Sequence, residues 1–228
     1  MTTPRPRALV TGASRGIGAA IARALAPTHD VLLGGRDPRS LEALARELPG
    51  RARPWVADLS HPDGLAEATA GVDRLDVLVH NAAVAEPGTI ARTPLDVWQR
   101  VFAVNLFSAA ELTRLLLPSL RHSRGHVVLI NAGSGLRITS NRGPYVASKH
   151  ALRGFADALR TEEKLNGVRV TSIHPGPTDT DLQRSAAERA GREYHPDQFL
   201  RPESVAAVVL NAVLAPSDAT VTDTVIDR

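Results

Sequence analysis

Short runs of unbroken apolar residues alternate along this chain with longer stretches of helical periodicity. Ala8-Leu9-Val10, Val31-Leu32-Leu33, Val77-Leu78-Val79 and Val127-Val128-Leu129-Ile130 are apolar at every position rather than at every second one. A strand of that kind is buried on both faces, which happens when helices cover both sides of a parallel sheet. The pattern predicts strands over 7–11, 31–33, 54–57, 75–79, 126–130, 168–173 and 221–226. Helices are predicted between them, over 16–25, 40–48, 63–70, 94–120, 144–165 and 202–214. The fold class is therefore α/β: a doubly wound sheet of seven mostly parallel strands with helices on both faces.

At 228 residues the chain is long enough for one full-sized domain over 1–228, with no repeat or linker to divide it. The one irregular stretch, 175–201, mixes proline, charge and short helical pattern, and reads as a substrate lid or as a plain surface loop. Cysteine is absent, which excludes disulfides, thiol nucleophiles and thiolate metal sites, and no metal is expected. That composition fits a reducing compartment. Met1–Arg7 does not read as a signal peptide, and no segment reads as a membrane span, so a cytoplasmic protein is expected. The formal charge of +3 is carried almost wholly by scattered arginines, Lys149 and Lys164 being the only lysines, and no nucleic-acid partner is expected.

Chemistry concentrates in two places. Thr11-Gly12-Ala13-Ser14-Arg15-Gly16-Ile17-Gly18 joins the first strand to the first helix. Glycines there allow a tight turn, close approach of backbone amides to a pyrophosphate and close helix–sheet packing, with the helix N-terminus facing the phosphate. Tyr145 and Lys149 lie four residues apart, so on a helix they share a face. An ammonium about 5 Å from a phenol, at an effective dielectric of about 20, is worth roughly 3 kcal/mol, or about two pKa units. The pair is expected to bring Tyr145 down from near 10 towards working range as an acid–base catalyst.

The Gly-x-x-x-Gly-x-Gly spacing, joined in register to Tyr-x-x-x-Lys, resembles the short-chain dehydrogenase/reductase (SDR) family over essentially the whole length. The resemblance implies a Rossmann-type fold and an oxidoreductase that moves a hydride between a nicotinamide cofactor and a ketone or aldehyde, with Tyr145 as general acid/base. Lys149 would lower the Tyr145 pKa and hold the ribose, and Asn105 would hold a water in the proton relay. The family's catalytic serine falls at Ala132. Either Ser134, two residues on, takes that role, or the oxyanion is stabilised by Tyr145 and water alone, or Ala132 is an engineered substitution. A weakly active or non-catalytic NADP-binding sensor is the alternative from another class.

The same resemblance places Gly12, Ser14, Arg15, Gly16, Ile17 and Gly18 on the cofactor phosphates, with Asp58 and Leu59 at the adenine. Asn81 and Ala82 fall beside the cofactor, and Pro175, Gly176, Thr178 and Thr180 in the nicotinamide loop. The residue that would carry an NAD-type carboxylate is Gly35, while Arg36 follows and Arg15 sits in the glycine turn, so two guanidiniums point to NADP (NADPH). Asp37 either faces the ribose or caps the next helix. Arg184, Arg189, Arg192, Tyr194 and His195 make 175–201 a cationic greeting for an anionic substrate or a solvated helix face. Family members are usually homodimers or homotetramers, and Leu112, Leu115 and Leu116 could serve that interface or the core.

Overall fold

The computed structural model describes residues 4–189 and 191–228; the readings of Met1–Thr3 and of Ala190 lie outside them. Seven strands, β1 (Arg7–Val10), β2 (Asp30–Gly35), β3 (Ala52–Val56), β4 (Val77–His80), β5 (His126–Ile130), β6 (Arg169–Pro175) and β7 (Asp223–Ile226), form one sheet of order β3-β2-β1-β4-β5-β6-β7. All six pairings are parallel. The doubly wound sheet expected from the apolar runs is the fold of the chain, and it is of the Rossmann type that the resemblance implies.

The crossovers are α1 (Gly16–Leu25), α2 (Pro38–Glu47), α3 (Leu65–Thr69), α4 (Leu95–Phe102), α5 (Ser108–Ser123), α6 (Gly143–Glu163), α7 (Asp181–Arg189) and α8 (Pro202–Val213). β1 shows why the pattern is unbroken. Ala8 and Val10 pack towards Ile21, Leu25, Leu41 and Val209, while Leu9 between them packs towards Leu112, Leu116 and Leu152. One face thus carries α1, α2 and α8, and the other α5 and α6. Leu112 and Leu116 are buried here and Leu115 packs against them, which makes the three core residues rather than a free surface.

Three boundaries differ from expectation for identifiable reasons. The helix predicted over 63–70 divides into a 3₁₀ turn at Pro62–Gly64 and α3, because Pro62 and Gly64 resist a full α turn. The stretch 94–120 is interrupted by a π turn, Ala103–Phe107, between α4 and α5. The segment 175–201 contains α7 and a 3₁₀ turn, Pro196–Gln198. A fourth correction concerns hydropathy. Leu95–Ser123, taken through the π turn, is long and apolar enough to cross a membrane by length and composition alone. In the fold this stretch lays Val101, Ala109, Leu112, Leu116 and Leu120 into the chain's own core.

Asp37 resolves as a helix cap. Its carboxylate accepts the backbone N–H groups of Arg39 and Ser40 at 3.2 and 3.3 Å, with Pro38 at the first helical position. It starts α2 and leaves the end of β2 to Arg36.

Candidate active site

The sheet order reverses between β1 and β4, and their helices pack on opposite faces, so a crevice opens outside the carboxyl ends of these strands. The glycine turn fills its floor. Gly12 and Gly16 hold φ of 64° and 54°, a region that costs an L side chain roughly 1–2 kcal/mol. A Cβ on Gly18 would run into the carbonyl oxygen of Gly12. The start of α1 is therefore pressed directly onto the turn.

Side chains hold that turn in place. Thr11 Oγ1 accepts the backbone N–H groups of Asn81 and Ala82 at 3.0 and 3.1 Å. Asn81 Nδ2 donates to the carbonyls of Thr11 and Gly12 at 2.9 and 3.2 Å. Both amide hydrogens of Asn81 are thus engaged in positioning the loop. Behind it His80 is buried with Nε2 2.8 Å from Thr113 Oγ1, and burial pulls its pKa down to about 3.

A cavity of about 480 Å³ lies over the turn. Gly12, Ser14, Arg15, Gly16 and Ile17 line it from below; Arg36, Asp58 and Leu59 from the ends of β2 and β3; Asn81 and Ala82 from β4; Tyr145 and Lys149 from α6. Gly18 packs behind the lining. Arg36 is exposed in this cavity, whereas Arg15 Nε lies 3.3 Å from Asp181 Oδ2 on α7. Asp58 accepts the N–H and hydroxyl of Ser60, and these bonds, with help from the Arg36 charge, hold it below the usual carboxylate range.

A second cavity, about 360 Å³ and mostly apolar, adjoins the first. Pro175, Gly176 and Thr178 line this one, together with Ala132, Ser134 and Leu136. Ile17, Asn131, Tyr145, Thr180 and Leu182 line both. Thr180 Oγ1 donates to the carbonyl of Thr178 at 3.2 Å, and its methyl would touch a Cβ on Gly16. The 175–201 segment is tied down by a cluster. Tyr194 Oη and Arg184 Nη2 both donate to Asp179 Oδ1, at 2.8 and 2.9 Å, and Tyr194 stacks on Phe199. Arg184 is therefore an internal ion-pair partner and does not contribute a free cation.

Tyr145 and Lys149 do share a face of α6, but their electrostatics correct the expectation. Lys149 Nζ donates to the Ile130 carbonyl at 2.9 Å and lies 5.9 Å from the centre of the Tyr145 ring. Burial pushes the Tyr145 phenol up to about 12, opposed by the Arg142 charge, and brings Lys149 down to about 8. Loss of water around a phenolate outweighs the Arg142 charge, so the shift runs upwards rather than towards neutrality.

Asn105 falls in the π turn and is buried. Its Oδ1 accepts the Val84 N–H at 2.8 Å, and Nδ2 donates to the Val84 carbonyl and to Ser148 Oγ at 2.9 and 3.0 Å. Ser148 in turn donates to the Tyr145 carbonyl at 2.8 Å. Both amide hydrogens are spent, so a water held by Asn105 would have to use its oxygens. Ser148 and Asn131 were missed by the sequence reading. Ser148 lies inside the Tyr-x-x-x-Lys motif as its last variable position. Asn131 directly follows β5, donates to the Lys149 carbonyl at 3.2 Å and accepts the Ala132 N–H at 3.0 Å. Ala132 itself is extended, with φ −166° and ψ 163°, and carries no hydroxyl where the serine would stand. Ser134 follows in a 3₁₀ turn, half-buried, on the same cavity as Tyr145.

The chain can be set beside known proteins. The family model described as short chain dehydrogenase matches residues 6–191. Dehydrogenase/reductase SDR family member 7B of Mus musculus is 37% identical over 199 residues, covering 82% of this chain and 62% of that protein. This chain therefore spans less than two thirds of that relative. Dehydrogenase/reductase SDR family member 11 of Homo sapiens is 32% identical, covering 95% of this chain and 91% of the relative. Among solved structures, an alcohol dehydrogenase from the archaeon Thermococcus sibiricus, complexed with 5-hydroxy-NADP, superposes with a TM-score of 0.89. It is 27% identical, over 97% of this chain and 95% of that one.

Proposed function

This chain belongs to the short-chain dehydrogenase family of oxidoreductases, and from that premise we propose that it is an NADP-dependent reductase of a ketone or aldehyde, the reverse reaction being alcohol oxidation. The observation that carries this reading is the position of Tyr145 on the wall between the glycine-floored cavity and the apolar one, with Lys149 behind it. The donor set fits a dinucleotide phosphate: a turn of positive-φ glycines under the larger cavity and an exposed Arg36 beside Asp58. Arg36 would meet a 2′-phosphate, Lys149 a ribose hydroxyl, and Thr180 the carboxamide. A bound NADPH supplies the hydride.

Tyr145 Oη donates a proton to the carbonyl oxygen as that oxygen gains electrons. A phenol held near 12 is protonated throughout the neutral range, so this residue favours reduction there and oxidation only in alkali. Lys149, near 8, is mostly charged at neutral pH and stabilises the phenolate left behind. Asn105 and Ser148 fix the backbone of Tyr145. With Ala132 in place of a hydroxyl, Ser134 is the candidate second donor to the carbonyl oxygen. Segment 175–201 acts as a lid over both cavities, and the half-exposed Phe107 and exposed Leu95 suit association into a homodimer or homotetramer.

The test is NADPH oxidation against a broad carbonyl panel, with Tyr145→Phe in parallel. Turnover that disappears in that variant supports the reading. Ala132 favours a second one, a cofactor-binding sensor without turnover. Tight NADPH binding with no carbonyl consumed, by the parent or by Ala132→Ser, would decide for the sensor.

A further inference from the structure

The apolar cavity is walled by Ile17, Leu136, Leu182, Val225 and Ile226, yet two guanidiniums, Arg137 and Arg142, also line it. The other ionisable groups facing it, Tyr145 aside, are Asp227 and His174. Asp227 is exposed and accepts the N–H of Arg228. His174 is buried, with Nε2 2.9 Å from Asp223 Oδ1, so that nitrogen is already engaged. Arg15, Arg100, Arg114, Arg121 and Arg184 each hold a carboxylate of this chain. Among the described residues Arg137 and Arg142 hold none.

Arg142 is the more telling of the two. It is half-buried and sits immediately before α6, three residues ahead of Tyr145. Its charge is the one that acts against burial on the Tyr145 phenol. A guanidinium that has lost part of its water and holds no carboxylate of its own chain is open to an anion entering the cavity. Its planar fork matches a carboxylate, which it can bind through two charge-assisted hydrogen bonds.

We propose that the substrate is an oxo acid: its carboxylate meets Arg142, with Arg137 at the rim, its apolar middle lies against Leu136 and Ile226, and its carbonyl reaches Tyr145. This rests on the reading that Tyr145 protonates a carbonyl in this cavity. The carbonyl carbon gains a hydride from the nicotinamide, its oxygen gains the Tyr145 proton, and the carboxylate leaves unchanged on a hydroxy acid. Recognition of the anion is therefore assigned to the loop before α6 and not to the arginines of 175–201.

The experiment uses a ladder of oxo acids, with the carbonyl one to five carbons from the carboxylate, each beside its primary amide. NADPH oxidation is followed with the parent, Arg142→Gln, Arg142→Lys and Arg137→Gln. At one or more chain lengths the parent should prefer the acid by about 10-fold or more in kcat/KM, the range of a charge-assisted bond. That preference should collapse towards one in Arg142→Gln, chiefly through KM, recover partly in Arg142→Lys, and shrink less in Arg137→Gln. A second arm needs no turnover: calorimetric titration of benzoate and benzamide into the protein saturated with NADP⁺. Tighter binding of benzoate that Arg142→Gln abolishes supports the anion site even if no carbonyl is reduced, in which case only the reductase reading falls. Equal kcat/KM for acid and amide at every length, with equal binding of benzoate and benzamide, overturns the proposal while leaving a reductase of neutral carbonyls standing.

Discussion

The two cavities that meet at Tyr145 are built by different means. The larger rests on backbone: positive-φ glycines, a carbonyl pressed against Gly18, and Thr11 and Asn81 tying the turn to β4. The smaller is built from side chains on irregular segments, 132–142 and 175–182, together with the end of β7. A ligand shared by many enzymes suits the first kind of surface, because steric rules leave the turn few alternatives. A variable ligand suits the second, because side chains on loops change without disturbing the sheet. In this chain Tyr145, the proposed proton donor, lies where the two meet.

The largest effect should come from the shared wall. Tyr145→Phe should lower kcat by about 10² to 10⁴-fold with NADPH affinity nearly unchanged, read by steady-state kinetics beside fluorescence titration. Equal losses in both would move Tyr145 from chemistry into cofactor binding. Next, Gly18→Ala tests the backbone-built side. The Gly12 carbonyl cannot move without its turn, so a stability loss of about 3 kcal/mol or more is expected, with NADPH binding lost, by thermal unfolding and titration. If the variant is as stable as the parent, the turn is softer than its geometry implies.

On the loop-built side, Ala132→Ser should raise kcat by up to about 10²-fold, the lower end of what one oxyanion donor supplies. Ser134→Ala should lower it by a similar factor if Ser134 is the present donor. A gain in the first variant and no change in the second would remove Ser134 from the site. Smaller again is an acid limb of stability. His80 and His126 are buried with pKa near 3, below the 6.5 of the unfolded chain. Stability is thus full above about pH 6.5 and falls as pH drops from there towards 3, by up to about 1.4 kcal/mol per unit per histidine. His80 lies beside the glycine turn and His126 begins β5, bonded to Thr171 at 2.7 Å. Urea midpoints for His80→Gln and His126→Gln should each show a shallower limb, and only the first should also alter NADPH affinity.

Tyr145 has the same origin in its pH response. Reduction should persist through neutrality and decline above pH 8 as Lys149 loses its proton and then Tyr145 its own. A decline already complete by pH 7 would restore the lowered phenol that the four-residue spacing alone suggested.

The centre of the sheet was legible because its doubly buried strands leave no polar alternation, unlike the more exposed edge strands β3 and β7, and the glycine turn because Gly12 and Gly18 answer to sterics that no other residue satisfies. Residue spacing also put Tyr145 and Lys149 on one helix face, and the family resemblance pointed to Asn105. Spacing did not reveal the direction of the Tyr145 shift, since it records the nearby cation and not the water removed on folding. Ser148 and Asn131 were hidden because each acts on backbone carbonyls, a use that carries no composition signal. Arg142 was hidden among many arginines. What sets it apart is a half-buried position on the same cavity as Tyr145 with no carboxylate beside it among the described residues, which is a property of three-dimensional placement. The π turn has no periodicity long enough to register.

That π turn has a consequence for how the chain tolerates changes in length. A π turn is an α-helix carrying one residue too many, held here around Asn105 and its bonds to Val84 and Ser148. Deleting one residue of 103–107 would let the segment relax into regular α-helix with the residues on either side keeping their faces, whereas deleting one from the regular turns after Ser108 would rotate everything beyond it by about 100°. In the first case Leu112, Leu116 and Leu120 stay in the core; in the second they turn out of it together. A single-codon deletion in this short segment would therefore spare the hydrophobic core and be felt at Asn105, whose bonds to Val84 and Ser148 the turn holds.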